Sequence, residues 1–183
     1  MGARNGKMNL AAYYNPTGHH VASWRHPRAV KDAHINIKHY VEIAQTAERA
    51  KFDLLFLADG NAVRKAHIDA ISRSTQFVAH FEPLTLLSAL AMVTEHIGLV
   101  GTASSSWNAP YHIARKFASL DHISGGRAAW NVVTSGNDAE SQNFGVDHAY
   151  AHADRYDRAH EVVDIVKGLW DSFDDDAFVR DTE

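Results

Sequence analysis

Short unbroken apolar runs alternate along the chain with longer stretches whose apolar positions recur every three or four residues. These are the periods of buried strands and of one-sided helices. The first run is Met8 to Tyr14. From Ile35 to Lys51, the positions Ile37, Tyr40, Val41, Ala44 and Ala47 form one helical face, and Glu48 interrupts it with a charge. Phe52 to Ala58, with four successive apolar residues from Leu54 to Leu57, reads as a strand covered on both faces that stops at Asp59-Gly60. A long polar connection, 61–81, follows, with a short helix expected over Asp69 to Phe77. Pro83 then opens a helix expected to reach His96, and Ile97 to Thr102 is the third strand. Pro110 opens a helix whose Ile113, Phe117, Leu120 and Ile123 form a stripe that ends at Gly125-Gly126. The fourth strand is Ala128 to Val133. The last helix is expected over Asp154 to Phe173, with Asp154 as N-cap and Val162, Val163, Val166, Leu169 and Trp170 buried.

Four strand-then-helix units predict a parallel sheet wrapped by helices, the α/β class, because parallel strands need crossover connections. A doubly wound sheet and a segment of a (β/α)8 barrel share this pattern unit by unit. Neither GxGxxG nor GxxxxGK[ST] follows the first strand, which weighs against dinucleotide and P-loop sites.

Composition narrows the function classes. With 45% hydrophobic and 22% charged residues among 183, the chain is a folded domain rather than a disordered one. A net charge of −4 lacks the basic excess of a nucleic-acid binder. The absence of cysteine excludes disulfides, thiolate metal sites and cysteine nucleophiles. The longest apolar stretches fall far short of the roughly 20 residues of a membrane span. Arg4 and Lys7 precede an apolar run, Leu10 to Tyr14, too short for a secretory signal. These features suit the cytoplasm.

In parallel α/β folds ligands gather at the carboxyl ends of the strands. Those positions hold Asn15, His19 and His20; Asp59, Gly60 and Asn61; Thr102 and 104–107; and 134–137. From the residues alone Asp59 is either a ligand carboxylate or a turn former, Thr102 a donor or a packing residue, and Asn131 an inward-facing amide or a satisfied one. His152 and Tyr156, four apart, share a helix face as a ligand pair or as a cap beside a packing ring. His148 and His152 repeat that spacing. With no HExxH motif beside them, no metal site is assigned.

The segments FDLLFLADG (52–60), EPLTLLSAL (82–90), TEHIGLVGTASSS (94–106), YHIARKFA (111–118) and LDHISGGRAAWNVVTS (120–135) carry a resemblance, together with Asn9 to Tyr14, Asn143-Phe144-Gly145 and Arg155 to Trp170. In collinear order they resemble the bacterial luciferase-like flavin monooxygenases, in the branch of nitrilotriacetate, EDTA, dibenzothiophene-sulfone and long-chain alkane monooxygenases. The resemblance implies a (β/α)8 TIM-type barrel, of which this chain supplies the first four βα units. Residues 1–183 are then the N-terminal part of one barrel domain, truncated relative to the family. It implies a homo-oligomer, and reduced FMN (FMNH2) delivered by an NAD(P)H-dependent flavin reductase. O2 is the co-substrate and oxidises a small organic molecule through a flavin peroxide. Flavin contacts carried over are Asp59, Thr102, His152 and Tyr156, with Asn131 as an addition; no catalytic residue is assigned. His20, Trp24 and Trp107, with His19 beside them, are candidates for the substrate pocket. The alternative is a non-catalytic flavin-binding or assembly protein built on a shortened barrel, and a metal-dependent hydrolase ranks below it.

Overall fold

The computed structural model describes residues 8–63, 66–174 and 176–182; Arg4 and Lys7 lie outside them. Four parallel strands, β1 (Ala11–Tyr13), β2 (Leu54–Leu57), β3 (Gly98–Ser104) and β4 (Ala128–Val133), pair in the order β1-β2-β3-β4. Neighbours in sequence are neighbours in the sheet, with no reversal of direction across it. That order decides between the two architectures left open by the pattern: it is the order of consecutive units of a (β/α)8 barrel.

The helices that follow the strands are α1 (Ile37–Arg49), α2 (Ile68–Ile71), α3 (Pro83–Ala91), α4 (Pro110–Ser124), α5 (Asp138–Asn143) and α6 (His152–Trp170). Local chemistry sets their ends. Asn36 caps α1 by accepting from the N–H groups of Lys38 and His39, and the carboxylate of Glu82 caps α3 by accepting from those of Leu84 and Thr85. Gly125 ends α4 in the left-handed conformation, φ 67°.

One face of the sheet, carrying Leu55, Leu57 and Leu99, meets Leu87, Leu90, Ile113, Phe117 and Leu120 in a single core. Gly101 belongs to this face because α3 passes so close that a Cβ there would sit 3.1 Å from Leu87 Cδ1. The residues that alternate with these, Leu54, Phe56, Val100, Thr102 and Asn131, turn to the opposite face. At the amino end, Arg127 donates to the carbonyls of Ser124, Ile97, Ala91 and Thr94, so one guanidinium closes the end of α3 and the start of β3. Glu48, the charge that breaks the α1 stripe, accepts from the N–H groups of Glu95, His96 and Ile97 at 2.6–3.0 Å and fixes the entry to β3.

Four expectations are corrected. The helix opened by Pro83 stops at Ala91, not His96, and Arg127 donates to its last carbonyl, that of Ala91. The segment 69–77 is α2 followed by a separate 3-10 turn, Thr75–Phe77. The last helix starts at His152 with Ala151 as cap, so Asp154 lies inside the first turn instead of capping it. Within α6, Val162 and Val166 are buried, but Trp170 is 43% exposed and donates its indole N–H to the Ala114 carbonyl. Helix α5 was missed because its six residues, DAESQN, hold five polar side chains and one alanine and carry no apolar stripe; its signal is Asn137, which caps it.

Candidate functional site

The carboxyl end of the sheet gathers most of the expected residues. Asp59 stands two residues beyond β2, with its Oδ1 2.9 Å from Nε2 of His80. That hydrogen bond raises the His80 pKa above its ordinary value, against the opposing effect of burial and with help from the carboxylate's charge. On β3, Thr102 is buried, and its hydroxyl donates to the Leu57 carbonyl at 2.8 Å. Asn131, its register partner on β4, donates from Nδ2 to the Thr102 hydroxyl oxygen at 2.9 Å. A chain of hydrogen bonds therefore runs across three strands. It commits the Thr102 proton within the sheet and fixes the orientation of the Asn131 amide.

Beside Asp59 lies a cavity of about 370 Å³, walled by the ends of β1 and β2, the segment 76–83 and α5. His34 is buried in its wall, with Nε2 3.3 Å from Asn15 Oδ1. Burial, with the charges of His80 and His39, lowers its pKa to about 4, so its ring is neutral near pH 7. Burial raises the Tyr40 phenol to about 12 and moves Tyr14 in the same direction, so both keep their protons.

Two arginines bring the start of α6 to the same end of the sheet. Arg155 donates to the carbonyls of Thr134 and Tyr150, and Arg158 to that of Ser105. Gly136 makes room for the first of these, since a Cβ would lie 2.5 Å from Arg155 Nη1. On the opening turn His152 and Tyr156 stack with ring centroids 4.6 Å apart, and Tyr156 is 48% exposed. The α6 N-terminus has no side-chain cap.

The other candidates stand elsewhere. His19 contacts the Tyr13 carbonyl and ring. His20 accepts from the N–H of Ala22 and lines a surface cleft with Pro16 and Arg28, while Trp24 lines a different cleft with His67 and Arg73. Trp107 stacks on Phe144 and Tyr150, with ring centroids 5.3 Å from each. His148 precedes α6 and reaches Asp138 Oδ2 at 3.3 Å, so it shares no helix face with His152. Among the described residues no group of three or more His, Cys, Asp or Glu side chains is placed to hold a metal ion.

Comparison with known proteins decides the family: the model of the luciferase-like monooxygenases matches residues 17–179. The chain belongs to that family. Two curated relatives show how far the membership extends. N-acetyl-S-(2-succino)cysteine monooxygenase of Bacillus subtilis is 51% identical over 100% of this chain and 40% of its own length. Nitrilotriacetate monooxygenase component A of Aminobacter aminovorans is 50% identical over 99% of this chain and 41% of its own length. Among solved structures, a riboflavin lyase holding modified FMN and riboflavin superposes with a TM-score of 0.84 at 34% identity, covering 96% of this chain and 42% of that one. This luciferase-like chain thus spans about two-fifths of the length of the relatives it matches. Sequence reasoning missed His34, Gln76, His80 and Glu140 in the cavity wall. The signal for three of them was the histidine count and the length of the polar connection 61–81, since long connections often carry function.

Proposed function

We propose that the chain is the N-terminal, flavin-binding part of one barrel domain of an FMNH2-dependent monooxygenase that oxidises a small organic substrate. The observation that carries this is the pairing of acceptors and donors at one end of the sheet. Asp59 and Thr102 line one cavity, Asn131 is bonded to Thr102, and the uncapped start of α6 carries His152 and Tyr156. The set suits FMN. Carboxylate and amide oxygens accept from ring N–H and ribityl hydroxyl groups, and a helix N-terminus with an imidazole and a phenol suits a phosphate. Reduced FMN, when bound, would supply the electrons that activate O2, so that one oxygen atom enters the substrate and the other leaves as water.

The chain's residues bind and orient. Asp59, held by His80, would anchor the polar edge of the flavin. Asn131 would present its amide oxygen from an orientation set by Thr102, which acts as a positioning residue. His152 and Tyr156 would take the phosphate end, with Arg155 and Arg158 fixing their helix to the sheet. The relative named as a component A, at 50% identity, supports a second component, which we assign as an NAD(P)H-dependent flavin reductase. We further propose a homo-oligomer working in the cytoplasm; no helix among the described residues is long and apolar enough to cross a membrane.

The test is an anaerobic titration with reduced FMN. Saturable binding, weakened about tenfold or more by Asp59→Ala and by Tyr156→Phe, is the expected result, since each removes a hydrogen bond to a charged or polar partner. A chain folded by circular dichroism that binds no reduced FMN overturns the reading.

A further inference from the structure

The cavity beside Asp59 holds an unusual set of polar atoms. Tyr14 Oη, His34 Nδ1, Gln76 Oε1 and Glu140 Oε2 are all buried in its wall, and none has a hydrogen-bond partner among the described residues. His34 and Gln76 are only 4% and 7% exposed. Leaving a buried polar atom unpaired is costly, so four along one cavity mark a place built to meet polar groups.

Their chemistry is lopsided. His34 Nε2 faces the acceptor Asn15 Oδ1, which puts the ring proton on Nε2 and leaves Nδ1 as a lone pair. Gln76 Oε1 accepts, and so does an ionised Glu140. Only the Tyr14 hydroxyl brings a proton. The charges in the wall lean the same way: the Asp59 carboxylate is matched by His80, Glu140 adds a second carboxylate, and neutral His34 adds no cation. A carboxylate or phosphate entering here meets lone pairs and negative charge, whereas a nitrogen bearing two or three N–H bonds meets three acceptors.

We infer that this cavity binds the nitrogen end of the substrate, a primary ammonium or primary amide group, seated among His34, Gln76 and Glu140. Its place in the reaction rests on the flavin reading, because Asp59 is shared between the two sites; the binding itself does not.

The experiment measures binding of butylammonium, butanamide and butanoate to the 183-residue chain by ligand-observed NMR at pH 7, first without flavin and then with reduced FMN. Butylammonium and butanamide are expected to bind about tenfold or more tighter than butanoate, the size of one hydrogen bond to a charged group. Glu140→Gln should weaken butylammonium about tenfold and leave butanamide within about twofold. Gln76→Leu, with near-ultraviolet circular dichroism to establish folding, should weaken both. Butanoate binding as well as the nitrogen probes, or none of the three binding because the cavity serves water alone, overturns the inference. Nitrogen selectivity without FMN binding overturns the flavin reading and leaves this one standing; FMN binding without nitrogen selectivity does the reverse.

Discussion

Asn131 on β4 donates its side-chain N–H to the hydroxyl oxygen of Thr102 on β3, and Thr102 passes its own proton to the Leu57 carbonyl on β2. A strand threonine, whose usual contribution is packing, thus joins three strands and aims the amide beside it. Thr102→Val removes both bonds while keeping the shape. We expect a loss of about 1–3 kcal/mol, the cost of leaving a buried partner unpaired, with Thr102→Ser restoring most of it. Urea unfolding of the three proteins measures this. Equal stability of the valine variant would show that the chain of bonds contributes nothing.

Glu48 gives the protein an acid-sensitive joint. Burial alone would raise its pKa, but the N–H groups of His96, Ile97 and Glu95, with the nearby His96 charge, outweigh that and hold it below its ordinary value of 4.5. A carboxyl depressed on folding stabilises above its unfolded pKa, and that contribution disappears as pH falls through the folded value. Stability should therefore fall as pH drops below about 4.5, and Glu48→Gln should flatten that limb. Thermal unfolding from pH 3 to 7 gives the slopes; identical slopes for the two proteins would contradict it.

Two cavity histidines should titrate on opposite sides of the ordinary value of 6.5. His80, hydrogen-bonded to Asp59, titrates above it, and buried His34 near 4. The His80–Asp59 contribution is present below pH 6.5 and is lost as pH rises through the raised value, whereas His34 opposes folding where it must charge, below 6.5. Ring-proton NMR titration reads both. Asp59→Asn should bring His80 down, and His80→Gln should bring His34 up by removing a neighbouring cation. A His80 that stays put in Asp59→Asn would separate the pair.

Gly136 and Arg155 should be energetically coupled. An alanine at 136 pushes the guanidinium off the Thr134 carbonyl, the contact Arg155→Ala also removes. A double-mutant cycle should show a coupling of about 0.5–3 kcal/mol, because the second change has little left to break. Additive losses would mean that the glycine serves another purpose.

How far the sequence revealed this molecule varies by element. The four strands were legible as short apolar runs, and the long helices because each buries apolar positions that recur every three or four residues. α5 was not, since its hold comes from Asn137 and not from a stripe. Strand order was invisible unit by unit; the family resemblance implied it, and the pairing shows it. Asp59 and the Thr102–Asn131 neighbourhood were legible as residues after or within strands, but not the bond that commits the Thr102 proton, which depends on register. His34, Gln76, His80 and Glu140 come from three separate segments. Nothing local in the sequence announces that they meet across one cavity.

The unreversed order of the strands has a consequence for how the chain reaches this state. β2, β3 and β4 each pair with the strand made just before them, so each of these three finds its docking edge already in place as it leaves the ribosome. Within this sheet no pairing of β1 to β4 reaches past the strand next in sequence, so each loop closure spans only the connection between consecutive strands. The fold can be written from its amino end forward, one unit laid against the last.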